Sequence, residues 1–141
     1  AIFRTLPGWE KFSQQVKPGD ILVTGEAFGT GPVLPQAVLC FRTLGLSLIL
    51  GKSFSSDYYR EAVNHGLAIV TAPRMTGPTF TPGQEVAVDF ASGKVCCART
   101  QKDLLQAEPW SAVQMAIYRA GSLSAYAAQI LNRSQQAAPA Y

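Results

Sequence analysis

Apolar positions recur along this chain at two different periods, and the change of period marks its elements. Trp9, Phe12 and Val16 sit at helical spacing and predict a short amphipathic helix, closed by the turn "KPGD". "ILVTG" (21–25) is a continuous apolar run that reads as a buried strand. After a glycine-rich turn, Pro35 to Leu44 reads as a helix with Val38, Leu39, Phe41 and Leu44 on its apolar side, and Gly45 sits where a C-terminal cap belongs. "LSLIL" (46–50) is a second strand. "SFSSDYYREAVNHG" (53–66) is the clearest helix: Ser55 or Ser56 caps it, Asp57 favours its first turn, Tyr58 and Ala62 lie one turn apart, as do Tyr59 and Val63, and Gly66 ends it. Leu67 to Val70 returns as a third strand.

Strand–helix–strand–helix–strand predicts a parallel sheet with crossover connections. Beyond the Pro- and Gly-rich "TAPRMTGPTFTPGQ", the segments "EVAVDF" and "KVCCART" flank the turn "ASGK" and predict an antiparallel hairpin. Pro109 suits the first turn of a helix striped by Trp110, Val113 and Ile117 and stopped by Gly121. Ser122 to Leu131 is one more helix. The expected architecture is α/β: a small, mostly parallel sheet with flanking helices, a β-hairpin and C-terminal helices.

Composition narrows the function classes. The chain has 141 residues, 48% of them hydrophobic and 15% charged, which suits one domain with a real core. Residues 1–133 form that domain, and the polar, alanine-rich tail 134–141 is expected to fray. The net charge is +3, but the twelve Lys and Arg are scattered, so no nucleic-acid-binding arm exists. No apolar run approaches the roughly 18 residues of a membrane span, no signal peptide is visible, and Ala1 reads as a trimmed or engineered start. Cys40, Cys96 and Cys97 make neither a disulfide framework nor a C-x-x-C metal motif, so they are expected to be buried small residues in a reducing, cytoplasmic compartment, with no metal held by this chain.

"GEAFGTGPVLPQAV" (25–38) is the segment with candidate chemistry. It is not a phosphate-binding P-loop, because Pro32 and Val33 follow Gly31 where Lys and Ser/Thr are needed. It is not a dinucleotide fingerprint either, since Leu34 occupies the third small position and Lys52 follows the next strand where an acid belongs. Two readings of the geometry stay open. Gly29 and Gly31 let the backbone approach an anion or carbonyl oxygen at a helix N-terminus, or they simply permit a tight turn.

"VKPGDILVTGEAFGTG", "LGLSLILGKSFSSDYYREAVNHGLAIV" and "PGQEVAVDFASGKV", in that order and spacing, together with the later "EPWSAVQMAIYRAGSL", resemble the small subunit of 3-isopropylmalate dehydratase, the swivel domain of the aconitase superfamily. The resemblance covers roughly residues 16 to 125. It implies a swivelling β/β/α domain with the glycine loop at an active-site edge. It also implies a large partner subunit carrying a [4Fe–4S] cluster, the pair moving water across a hydroxy-di- or tricarboxylate. The family's loop runs phenylalanine, glycine, a small residue, glycine, two serines, arginine, glutamate, histidine. The first serine is the catalytic base and the arginine binds a substrate carboxylate.

Phe28, Gly29, Thr30 and Gly31 match that loop. Pro32 and Val33 stand at the serines, Leu34 at the arginine, Pro35 at the glutamate, Gln36 at the histidine, and Ala27 where asparagine commonly precedes the phenylalanine. The family's opening Thr-Asp strand motif is missing, as the chain starts too late for it. Proline carries no hydroxyl and leucine pairs with no carboxylate. A ligand held by Phe28, Gly29, Thr30, Gly31, Val33, Leu34 and Ser53 should therefore be less charged than isopropylmalate. The remaining candidates for chemistry are Lys52 at a strand end, His65 at a helix C-terminus, and Tyr58; of Tyr58 and Tyr59, one packs in the core and the other donates to a bound carbonyl.

Three readings are compatible with these residues. The first is a stand-alone, cofactor-free lyase, isomerase or cyclase acting on a mostly apolar carbonyl-bearing small molecule of secondary metabolism. The second is a small subunit completed by an iron–sulfur partner. The third is a non-catalytic binding module; a homodimer is compatible with any of them.

Overall fold

The computed structural model describes residues 3, 7–32, 35–76 and 79–137. Helix α1 is a single turn, Phe12–Gln15, which buries Phe12. Strand β1 (Ile21–Thr24), helix α2 (Pro35–Thr43), strand β2 (Leu48–Gly51), helix α3 (Ser56–Asn64) and strand β3 (Ile69–Thr71) then alternate. The three strands form the expected parallel sheet in the order β1-β2-β3, with Ile21 opposite Leu48 and Ile49 opposite Ile69.

The central strand explains why this half of the chain is so apolar: β2 is buried along its whole length. Its side chains alternate between two cores, as pleating requires. Ile49 joins Leu22, Val38, Phe41, Tyr58, Ala62 and Ile69 beneath α2 and α3. Leu48 and Leu50 join Ala68, Val70, Val95 and Trp110 on the opposite face.

The second core is capped by an antiparallel sheet, β4 (Val86–Asp89), β5 (Lys94–Cys97) and β6 (Asp103–Gln106), in that order. The predicted hairpin is β4–β5; β6 is an addition. The register slips between Val95 and Cys96, so that Leu105 faces Val95 and Asp103 faces Cys96. This bulge breaks the period-2 alternation by which β6 would have been recognised. The segment after β6 seals the outer edge of β3: the Glu108 N–H donates to the Thr71 carbonyl (2.8 Å), and the Trp110 indole N–H donates to the Ile69 carbonyl (2.8 Å). Trp110 also stacks on Phe90, with ring centroids 4.0 Å apart.

Helices α4 (Ala112–Ala120) and α5 (Leu123–Gln136) close the chain, capped by the hydroxyls of Ser111 and Ser122. Several expectations need correcting here. α5 runs to Gln136, past the predicted end at Leu131 and into the tail expected to fray; residues 138–141 lie outside the described residues. Leu39 is exposed, because on α2 only Val38 and Phe41 face the core. Val113 is exposed as well; on α4 only Ile117 of the predicted stripe is buried. Val23 is exposed too, because β1 is an edge strand. Cys40 is exposed, and Cys96 and Cys97 are half-buried, so none of the cysteines is a core residue. No helix among the described residues is long and apolar enough to cross a membrane.

Candidate functional site: the glycine loop and the strand ends beside it

The loop from Gly25 to Pro32 leaves the carboxyl end of β1, where open parallel sheets expose their connections. Its first half is fixed by the segment leaving the neighbouring strand β2. The Ala27 N–H donates to the Ser53 hydroxyl (2.8 Å), the Phe28 N–H to the Ser53 carbonyl (3.1 Å), and the Ser55 N–H to the Phe28 carbonyl (2.9 Å). Phe28 and Phe54 thereby form an isolated parallel bridge. Holding this path forces Ala27 to φ 52°, a left-handed value that costs an alanine energy.

Phe28 anchors the loop. Its ring lies edge-on to Tyr58, with centroids 5.3 Å apart, and also meets Phe41 and Phe54. Gly29 follows at φ +82°, and a Cβ placed on it would lie 2.4 Å from both Cβ and Cγ of Tyr58. The loop backbone is therefore pressed against the first turn of α3. Glycine is needed at this position both for its conformation and for the space. Thr30, Gly31 and Pro32 are exposed; Val33 and Leu34 lie outside the described residues.

The proposed chemical residues are not brought together. Tyr58 is only 4% exposed and belongs to the core, and its hydroxyl is buried without a partner among the described residues. Burial pushes its phenol well above the ordinary value of 10.0. The other tyrosine does not donate toward the loop either: the Tyr59 hydroxyl pairs with the Gln114 side chain on α4 (3.0 and 3.2 Å), and burial raises its pKa too. His65 lies at the far end of α3, about 15 Å along the helix from Ser55 at 1.5 Å per residue. There its Nε2 meets Glu61 Oε1 (2.8 Å), and its carbonyl accepts from Arg42. Ser53 spends its hydroxyl on the loop itself.

Lys52 does sit at the strand end, where its ammonium donates to the Glu26 carboxylate at 2.6 Å. Glu26 is 69% exposed, and the lysine's hydrogen bond and charge hold its carboxyl below the usual carboxylate range. Sequence reasoning passed over Glu26, although a carboxylate two residues beyond a parallel strand was a legible signal. From this ion pair a groove of about 1270 Å³ runs along the exposed edge of β1, lined by Val23, Met75, Phe80 and Val86. Among the described residues, Lys52 is the one predicted site residue that lines it. Phe28, Gly29, Thr30, Gly31, Ser53, Tyr58 and His65 do not.

The cysteines do not suit an iron–sulfur cluster. Cys40 is on α2, and Cys96 and Cys97 are consecutive in β5, so their side chains leave opposite faces of the strand. Among the described residues no three His, Cys, Asp or Glu side chains are grouped to hold a metal ion. A feature not anticipated is the environment of Cys97. Hydrogen bonding from the Thr100 hydroxyl, then from the Thr100 and Arg99 amides and the Gln84 side chain, outweighs burial and lowers its thiol pKa from 9.0 to about 7.

The same arrangement of elements is found in a crystal structure of 3-isopropylmalate dehydratase from Methanocaldococcus jannaschii. The two match with a TM-score of 0.74 and 29% identity over 90% of this chain and 74% of that one. The small subunit of 3-isopropylmalate dehydratase from Aquifex aeolicus is 35% identical over 121 residues, which is 86% of this chain and 71% of that protein. The chain belongs to the 3-isopropylmalate dehydratase small-subunit family. A small subunit from Methanopyrus kandleri is 32% identical over 113 residues, which is 80% of this chain and 65% of that protein. A scan of protein-family models finds no match. Family membership accounts for the parallel β1-β2-β3 unit and its loop. The described loop offers backbone amides, the Thr30 hydroxyl and the Glu26 carboxylate held by Lys52.

Proposed function

We propose that this chain works as the small subunit of a hydro-lyase, completed by a large partner that contributes the iron–sulfur cluster and most of the acid–base chemistry. The observation that carries the reading is the retention of the small-subunit fold over 90% of the chain at a TM-score of 0.74, beside a loop whose one carboxylate among the described residues, Glu26, is paired with Lys52. Within the chain the cysteines are unsuited to a cluster, so the cluster chemistry falls to the partner. The role left to this chain is to present the backbone of the glycine loop at the shared site and to exclude water there. Because Leu34 stands where the family resemblance implies a carboxylate-binding arginine, the substrate is a hydroxy acid carrying less charge than isopropylmalate.

A second reading is a stand-alone, cofactor-free lyase, isomerase or cyclase for an apolar carbonyl-bearing molecule. The apolar groove ending at the Lys52–Glu26 pair favours it. One experiment separates the two. The chain is assayed alone and together with a large hydro-lyase subunit, on isopropylmalate and on hydroxy acids with fewer carboxylates. The first reading expects turnover by the pair only, faster on the less charged acids. Turnover by the chain alone would replace it with the second. A pair that forms but turns over nothing would leave a binding module.

A further inference from the structure

The loop and α3 share one hydroxyl group. Ser55 Oγ accepts from the Tyr58 N–H (3.2 Å), which makes it the N-cap of α3, and at the same time donates to the Gly29 carbonyl (2.6 Å). A hydroxyl does both at once because it carries one hydrogen and two lone pairs. The remaining contacts reinforce the junction: the Ser55 N–H on the Phe28 carbonyl, and the Tyr58 side chain against the α-carbon of Gly29. Fixing the Gly29 carbonyl also orients the next amide. In a trans peptide the N–H points opposite to the carbonyl of the same peptide group. With the Gly29 oxygen held toward α3, the Thr30 amide is turned away from the helix, on the exposed side of the loop.

We propose that Ser55 is a positioning residue for the glycine loop, a clasp that ties it to the capped end of α3 and aims the Thr30 amide outward. The role of the aimed amide rests on the small-subunit reading above; the clasp itself does not. A serine that merely capped the helix would need only its lone pairs, whereas the clasp also needs its hydrogen. Aspartate separates the two functions. It caps helices about as well as serine, but its carboxylate has no hydrogen for the Gly29 carbonyl and repels it.

The test compares wild type, Ser55→Asp, Ser55→Thr and Ser55→Ala by amide hydrogen exchange, read separately at loop residues Ala27 and Phe28 and at α3 residues Tyr59 to Ala62. The clasp predicts that Ser55→Asp speeds loop exchange at least about fivefold, the scale of one lost hydrogen bond, with α3 unchanged. Ser55→Thr restores the loop, and Ser55→Ala loosens loop and helix together. Wild-type loop exchange in Ser55→Asp overturns the proposal and leaves Ser55 a cap. A second readout concerns function: paired with a large subunit, Ser55→Asp lowers kcat about tenfold and Ser55→Thr recovers it, since a misaimed amide is lost mainly in the transition state. If the wild-type pair turns over nothing, the small-subunit reading fails, and the exchange comparison still decides the clasp.

Discussion

Replacing Gly29 with alanine tests the packing of loop against helix most severely. Two penalties act together. A left-handed backbone, here φ +82°, costs an L-residue about 1–2 kcal/mol. The new Cβ would also stand 2.4 Å from Tyr58 Cβ and Cγ. That contact is about 1 Å closer than the low end of ordinary van der Waals distances, and Tyr58 is buried against Phe28 with little room to yield. Overpacking of this kind costs roughly 1–3 kcal/mol. The lower entropy of the unfolded alanine chain returns about 0.4–1 kcal/mol. The net expectation for Gly29→Ala is a loss of about 2–4 kcal/mol. At roughly 3 °C per kcal/mol for a chain of this size, Tm falls by about 6–12 °C. Gly31→Ala is the control two residues away, with no positive φ and no described atom within 4 Å of its added Cβ. It should be neutral or stabilising by up to about 1 kcal/mol. Urea and thermal unfolding followed by circular dichroism measure both. Equal effects for the two variants, or a Gly29→Ala protein within about 0.5 kcal/mol of wild type, would refute the described contact between loop and α3.

Tyr58→Phe removes a buried hydroxyl that has no partner among the described residues, so urea unfolding should show a gain of about 1 kcal/mol; a loss would mean that the hydroxyl is satisfied. Ala27→Gly relieves the left-handed alanine and should stabilise by up to about 1 kcal/mol after the entropy cost of glycine, with a lowered Tm as the contrary result. Alkylation of Cys97 by iodoacetamide, followed by mass spectrometry, should rise with pH to a plateau with its midpoint near 7, and Thr100→Val should move the midpoint upward; a wild-type midpoint near 9.0 contradicts the donor cluster. Because the folded thiol ionises more readily than the unfolded one, this group favours folding increasingly as pH rises from about 7 to 9.0 and contributes nothing below that window. Glu26→Gln should barely change thermal stability, and any effect should vanish in high salt, since the Lys52 pair is exposed.

Much of the fold was legible because its strongest elements are locally consistent. The runs 21–24, 48–51 and 69–71 are apolar enough to be buried parallel strands, and α3 carries both its cap and its stop in sequence. Strand β6 was not legible, because its pairing with β5 contains a bulge and adjacent leucines hide the alternation. Residue-level orientation failed where one helical step decides it, as at Leu39 beside the buried Val38. The position of the candidate loop followed from spacing and family resemblance, but its internal wiring did not. Ser53, read in sequence as a ligand contact, accepts the Ala27 amide, a bond the sequence does not announce. Ser55 was readable as a cap, and only the fold reveals its second bond, to a residue 26 positions earlier. Tyr58 carries a reactive group in sequence and a core ring in space. Residue types are written in the chain; which side of a backbone they occupy is settled by packing.

The central claim is that this chain completes a hydro-lyase by associating with a large subunit. Mixing the two purified proteins and measuring particle mass by size-exclusion chromatography with light scattering tests it most directly. The account predicts one species whose mass exceeds that of the large subunit by one 15.1 kDa chain per large subunit. Two separate peaks at concentrations well above those used for turnover would contradict it.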